Sequence, residues 1–195
     1  MNYLAHLYLA DDSPGSLIGS LLGDFVKGNL DNAYDEEITR GILIYRRIDS
    51  FSDSHEKVLE SKRLISPKRR RFSGIIIDVS FDHSLARDWS EYSNEHLPDF
   101  TKKVYMLLCK YSHILPYKLR SIIPKMIEED WLGSYQYIEG IGQIMDRISR
   151  RLKRGEEMLG AVKELETNYE KMEENFKSFF PELIAYVEGI RRDYA

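Results

Sequence analysis

Along most of this chain apolar residues return at intervals of three and four, the spacing of helices with one buried stripe. Strand-like alternation is scarce. Ile75-Ile76-Ile77 could seed a strand, but the apolar positions after it keep a helical period. Asp11-Asp12-Ser13-Pro14-Gly15 reads as a turn leading into a helix near 16–27. Gly28, in a position that suits a left-handed cap, closes that helix together with Asn29, Leu30, Asp31 and Asn32. A second helix is expected at about 35–49. Ser66-Pro67 and a basic run connect to a helix over 74–92, ended by Ser93-Asn94, and Pro98 fits the first turn of the next, about 98–112. After a break at His113-Ile-Leu-Pro116, helices are predicted at about 118–129, 131–154 (interrupted around Gly140-Ile-Gly142), 156–180 and 181–193, the last starting at Pro181. The pattern predicts one all-α domain spanning 1–195.

The 74–92 helix carries charge on its apolar side. At about 100° per residue, Asp78 and Asp82 fall among Ile75, Val79, Leu85, Ala86 and Trp89. Two carboxylates one turn apart repel by roughly 0.2–0.5 kcal/mol even on a surface. Near a core they need a cation, a proton or an arginine beside them. His83 adds a nitrogen at the edge of the same face. Asp24 likewise shares the side of Leu17 and Leu21, where capping a neighbouring helix or pairing with an arginine accounts for it equally well.

Tyr45, Arg46 and Asp49 share the face of Ile42, with Arg47 pointing more sideways. Paired arginines near acidic residues suit phosphate oxygens, and an Arg46–Asp49 ion pair explains the same residues. His6, flanked by Leu4 and Leu7, reads either as a proton donor or ligand, or as a core histidine bonded to a carbonyl. Asp53 extends the face of Asp49 or caps a helix; His55, His96 and His113 lie beside turn signals and read as solvent-facing. Trp89 and Trp131 read as packing residues. Taken together, Asp24, Asp49, Asp78, Asp82 and His83 make an oxygen-rich set with one nitrogen. Such a set favours Mg²⁺ or Mn²⁺, ions that lower the pKa of bound water and stabilise charge on a phosphoryl oxygen.

Composition narrows the setting. The 195 residues are 43% hydrophobic and 31% charged, an ordinary globular balance, and the net charge of −4 argues against general nucleic-acid binding. No apolar run approaches the ~20 residues that span a bilayer, and the first residues lack the features of a secretory signal. Cys109 is the single cysteine, in the apolar run from Val104, so it reads as a buried thiol with no intrachain disulfide, and the cytoplasm is the expected compartment. The charge is uneven: Lys62-Arg63 with Lys68-Arg69-Arg70-Arg71 makes one basic knot, and Arg147, Arg150, Arg151, Lys153 and Arg154 another. These suit a local anionic partner, or are solvated helix ends.

Five segments in order, Met1-Asn-Tyr-Leu-Ala-His-Leu-Tyr-Leu-Ala10, Gly23-Asp-Phe-Val-Lys-Gly28, Arg46-Arg-Ile-Asp49, Asp78-Val-Ser-Phe-Asp-His83, and the late Asn168-Tyr169 with Phe179-Phe-Pro181, resemble the acyl carrier protein phosphodiesterase family nearly end to end. The resemblance implies an all-helical fold similar to HD phosphohydrolases, with the paired residues reading Asp82-His83. It implies hydrolysis of the phosphodiester joining 4′-phosphopantetheine to a serine of holo acyl carrier protein, with Mn²⁺ as the associated metal. Asp24, Asp49, Asp78, Asp82 and His83 would then hold metal, Arg46 and Arg47 would grip the phosphodiester, and Lys68, Arg69, Arg70 and Arg71 would dock the acidic carrier protein. One position departs from the family pattern: Tyr45 stands where a histidine is expected before the two arginines. Two alternatives stay open beside the phosphodiesterase. One is an HD-type phosphohydrolase acting on a small phosphoester; the other is a carrier-protein binding module whose catalysis Tyr45 has degraded.

Overall fold

The computed structural model describes residues 1–30 and 33–193. Asp31 and Asn32, expected in the turn after the first predicted helix, lie outside the described residues. Eleven α-helices follow one another among the described residues, with no strand. They are α1 (Tyr3–Tyr8), α2 (Pro14–Phe25), α3 (Glu36–Ser54), α4 (Glu56–Leu64), α5 (Ser73–Arg87), α6 (Trp89–Tyr92), α7 (Leu97–Lys110), α8 (Tyr117–Glu128), α9 (Ile138–Ser149), α10 (Val162–Thr167) and α11 (Tyr169–Asp193). Short 3₁₀ turns occur at Pro67–Phe72, Ser112–Ile114, Gly133–Gln136 and Gly155–Met158. The fold is all-α, and no helix is long and apolar enough to cross a membrane.

Local chemistry sets the helix ends. The Ser13 side chain accepts from the Ser16 amide (3.3 Å) with Pro14 in the first turn of α2, and Asp35 accepts from the Ile38 amide (2.8 Å) ahead of Glu36 and Glu37 in α3. Gly28 does take the left-handed conformation (φ 78°), but α2 has already ended at Phe25. The predicted 74–92 helix divides at Asp88 into α5 and α6. Two short helices, α1 and α4, had no periodic signature long enough to register.

The predicted break at Pro181 is absent, and α11 runs through it. A proline inside a helix costs about 3 kcal/mol relative to alanine. Phe176, Phe179, Phe180, Leu183 and Val187 lie on both sides of it with at most 1% exposure. Burial at roughly 1.5–3 kcal/mol per large side chain outweighs the proline. α9 likewise continues through Gly140 and Gly142; at Gly140 a Cβ would come within 2.2 Å of the Ser134 carbonyl oxygen. Two expectations about single side chains are corrected: Cys109 is exposed on α7, and His55 is largely covered, tilted against Phe51 and edge-on to Phe179.

One hydrophobic cluster runs through the described residues, and α5 is its axis. Ile76, Ile77, Val79, Phe81, Leu85 and Ala86 are all buried because α1, α4, α9, α11 and the Gly133–Gln136 turn pack around it. From Val79 to Ala86 the helix is enclosed and has no solvent face to receive its polar residues. That is why Asp82 and His83 end up inside.

α2 and α3 form the most intimate pair. A Cβ on Gly19 would lie 2.3 Å from the Ile38 carbonyl oxygen, and one on Gly41 would lie 2.8 Å from that of Ser16. The obstacles are backbone atoms, so neither can swing away. Gly19→Ala is expected to destabilise the protein by about 1–3 kcal/mol through overpacking, read as a lowered denaturation midpoint; an unchanged midpoint would contradict the close approach.

Candidate active site

A cleft of about 430 Å³ opens where five parts of the chain meet. Met1, Asn2 and Tyr3 come from the N-terminal segment, Asp24 from the end of α2, and Tyr45, Asp49 and Asp53 from one stripe of α3 at successive four-residue intervals. Ile75 and Asp78 come from α5; Ile148, Arg151 and Leu152 come from the end of α9 and the turn after it. The Gly23 approach to the Tyr45 ring, where a Cβ would come within 2.2 Å, sets Asp24 beside that α3 stripe.

Each acidic wall residue has its own partner. The Met1 ammonium, 1% exposed, lies 3.0 Å from Asp78 Oδ1. Burial pulls the pKa of that ammonium down, but Asp78, Asp49 and Asp82 outweigh it and hold the group protonated. The Tyr3 hydroxyl donates to Asp24 Oδ2 (3.2 Å), and Lys62 Nζ pairs with Asp53 (2.8 Å). Asp49 receives a hydrogen bond from the Tyr45 hydroxyl and lies 3.0 Å from His6 Nε2. Burial pushes its carboxyl up; His6, the Met1 ammonium and Tyr45 together outweigh burial and hold it below the usual carboxylate range.

His6 sits behind this wall rather than on it. The ring is 1% exposed and stacks on Tyr45 with centroids 4.0 Å apart. Its Nε2 faces Asp49 at 3.0 Å, and among the described residues neither ring nitrogen has a well-aligned hydrogen-bond partner. Burial lowers its pKa more than Asp49 raises it, and the imidazole is neutral at pH 7. The expected carbonyl partner of a core histidine is missing. A proton donor to a leaving serine would have to stand at the cleft surface, and His6 does not.

The expected ligand set separates. Asp24, Asp49 and Asp78 line the cleft; Asp82 and His83 do not. Asp82 is 0% exposed and accepts from the amides of Asn2 (3.1 Å), Leu4 (2.7 Å) and Ala5 (3.4 Å). It thus serves the otherwise orphaned donors at the start of α1. Burial drives its carboxyl up to about 7, against the pull of the Met1 ammonium and those amides. His83, about 100° further round α5, points the other way. Its Nδ1 donates to the Tyr135 carbonyl (2.7 Å), which leaves Nε2 to accept from the Tyr169 hydroxyl (3.3 Å). Tyr169 in turn receives Arg87, which also pairs with Glu173 (3.0 Å). Among the described residues, no three His, Cys, Asp or Glu side chains are grouped to hold a metal ion.

The basic residues also move. Arg46 donates to the Val26 carbonyl (3.1 Å) and lines a separate cavity of about 550 Å³ with Tyr34 and Leu43; Arg47 is exposed and is not part of the cleft wall. In the first basic knot Arg69 pairs with Glu164 (3.1 Å) and donates to the Leu159 carbonyl (2.9 Å), while Arg70 donates to the Ile65 carbonyl (3.1 Å). Lys68 and Arg71 remain exposed, and Arg71 reaches the Lys153 carbonyl (3.5 Å), setting the two basic knots side by side. The sequence reading missed Tyr3, Ile148, Arg151 and Leu152 as cleft residues. The last three stand at i, i+3 and i+4, a helical signal that the surrounding charge run concealed.

A model of the acyl carrier protein phosphodiesterase family matches residues 1–183. Curated proteins named acyl carrier protein phosphodiesterase are similar almost end to end. That of Yersinia pestis is 34% identical over 185 residues, 94% of this chain and 96% of its own. That of Enterobacter sp. (strain 638) is 33% identical and that of Serratia proteamaculans (strain 568) 32%, each again covering 94% of this chain and 96% of the relative. No solved structure matches the chain.

Asp82→Ala strands three backbone donors in or near the core, at about 1–3 kcal/mol for each buried group left unsatisfied. It is expected to lower stability by roughly 3 kcal/mol in metal-free buffer, with Asp82→Asn losing less because its amide oxygen still accepts. Denaturant titration checks this. Wild-type stability for Asp82→Ala without metal would contradict the role assigned to this carboxylate.

Proposed function

The chain belongs to the acyl carrier protein phosphodiesterase family, and from that premise we propose that it hydrolyses holo acyl carrier protein to apo carrier protein and 4′-phosphopantetheine. The observation that supports this reading is the cleft lined by Asp24, Asp49 and Asp78, with the His6 ring buried behind Asp49. The cytoplasm, where its substrate would be made and used, belongs to the same proposal.

A divalent ion, Mn²⁺ with Mg²⁺ as the alternative, is part of the proposal. The five-residue set does not fit it, since Asp82 and His83 are committed elsewhere. A smaller set would suffice. Hard ions of this kind need only one or two protein carboxylates when substrate phosphate oxygens complete the shell. Asp24 and Asp49 would hold the ion, with the His6 ring behind Asp49 to position it. Bound there, it would supply an activated water and neutralise charge on the phosphoryl group.

The chain's own residues then have defined tasks. Asp49, kept charged, is an acceptor and not a proton donor at neutral pH. Tyr45 keeps its phenolic proton, because burial and the neighbouring carboxylates push its pKa up, and it fixes Asp49 by donating to it. His6 acts through Asp49 and is therefore a positioning residue. Tyr45 in place of the family's histidine thus retains a donor to Asp49, which favours an active enzyme over a binding module. Lys68 and Arg71, with Lys153 beside them, would steer the acidic carrier protein to the cleft, and the steering should weaken with salt. Likeness to HD phosphohydrolases stays part of this reading.

Incubation of the protein with Mn²⁺ and holo carrier protein should remove the prosthetic group by mass, and chelation should stop the loss. Absence of mass loss across divalent ions, beside an active relative, would sink the proposal. Salt-sensitive binding without turnover would favour the binding module, and turnover of small phosphodiesters without regard to carrier protein the general phosphohydrolase. Asp49→Asn is expected to lower kcat/KM by about 10²-fold or more.

His6 gives a pH prediction. Its folded pKa lies below its ordinary value of 6.5, so the folded protein resists a proton that the unfolded chain accepts. Stability should fall as pH drops through the window below 6.5, and His6→Asn should flatten that slope. Denaturation midpoints at several pH values check it; an opposite slope for this pair would contradict a buried neutral ring.

A further inference from the structure

We propose that Arg151 is the residue that binds the phosphodiester in the cleft, in the place expected for Arg46 and Arg47; the inference rests on the phosphodiesterase reading and names the substrate contact it requires. A phosphodiester carries one negative charge, and four aspartates line the cleft. Such an anion is repelled unless a cation faces it. Among the described residues that line the cleft, Arg151 is the one lysine or arginine, and the other cation there, the Met1 ammonium, is already paired with Asp78. Arg46 lines another cavity and is turned to the Val26 carbonyl.

The surroundings of Arg151 leave its donors available. Its neighbour Arg147 lies over the Trp131 ring at 4.1 Å and pairs with Glu129. Arg151 stands 5.7 Å from the same ring and, among the described residues, pairs with no carboxylate. A guanidinium has five N–H donors in a planar fork, which matches two phosphate oxygens at once. Its charge already reaches the mouth of the cleft, where it opposes the burial and the Asp24 charge that act on the Tyr3 hydroxyl. Ile148 and Leu152, three residues before it and one after, put an apolar surface beside the guanidinium. A phosphate that continues into an organic arm meets both features; inorganic phosphate meets only the first.

The test compares wild type, Arg151→Gln, Arg151→Lys, Arg46→Gln and Arg120→Gln, the last an exposed arginine of α8 outside the cleft. Two measurements are made: turnover of holo carrier protein, and equilibrium binding of free 4′-phosphopantetheine. Loss of a charge-assisted, bidentate contact predicts a fall of about 10- to 100-fold in kcat/KM and in affinity for Arg151→Gln. Arg151→Lys should recover part of it, and Arg46→Gln and Arg120→Gln should stay near wild type in affinity. Equal melting temperatures guard against misfolding. Wild-type behaviour of Arg151→Gln in both measurements, or a larger loss in Arg46→Gln, overturns the proposal. If wild type fails to turn over, the phosphodiesterase reading falls separately, and the binding measurement alone decides Arg151: selective loss in Arg151→Gln supports it, while no difference or no binding by wild type overturns it.

Discussion

Asp82, wholly buried near the middle of α5, accepts hydrogen bonds from the backbone of Asn2, Leu4 and Ala5 and so fixes the path of the first residues of the chain. A carboxylate in a core is tolerated only where donors or positive charge meet it. Here the start of α1 supplies the donors, which would otherwise be orphaned themselves. Each side removes the other's desolvation problem. The consequence reaches well beyond α1: the same anchoring carries Met1, Asn2 and Tyr3 to the cleft and His6 to the back of Asp49.

The cleft is therefore an arrangement of compensated charges. Asp78 faces the Met1 ammonium, Asp24 the Tyr3 hydroxyl, Asp53 the Lys62 side chain, and Asp49 both Tyr45 and His6. Four carboxylates on one small surface repel one another. A separate partner for each offsets that repulsion. Two groups keep capacity to spare: the His6 ring behind the wall and the exposed Arg151 guanidinium at its edge, which among the described residues pairs with no carboxylate. Chemistry belongs at such groups, because the fold has not used up their capacity.

Much of the scaffold was legible along the chain, because periodicity and turn residues act locally. Helices near α2, α3, α7 and α8 follow directly from apolar spacing and from Ser13, Asp35 and Pro98 at their starts. The reading failed at Pro181, where aromatic packing overrides a local breaker, and at Cys109, whose apolar neighbours hid an exposed position. It also located unusual charge on α5 and α3 correctly as a pattern. It placed His83 at the edge of the Asp82 face and so in a common site, whereas neighbours on a helix diverge by about 100° and these two side chains part.

The sequence by itself determined that this is an all-helical protein, that its acidic residues sit at positions needing compensation, and, through five ordered segments, which family it joins. Those properties are written in spacing and residue type. Only the tertiary structure decided which carboxylates face the cleft and which one caps α1. It also decided that Arg151 stands on the cleft wall, while Arg46 turns to the Val26 carbonyl. The reason is that burial of a charge depends on what other elements bring to it. Residues 2 to 5 meet residue 82, and residue 151 joins residues 3 and 24 along one cleft, only after the helices have packed.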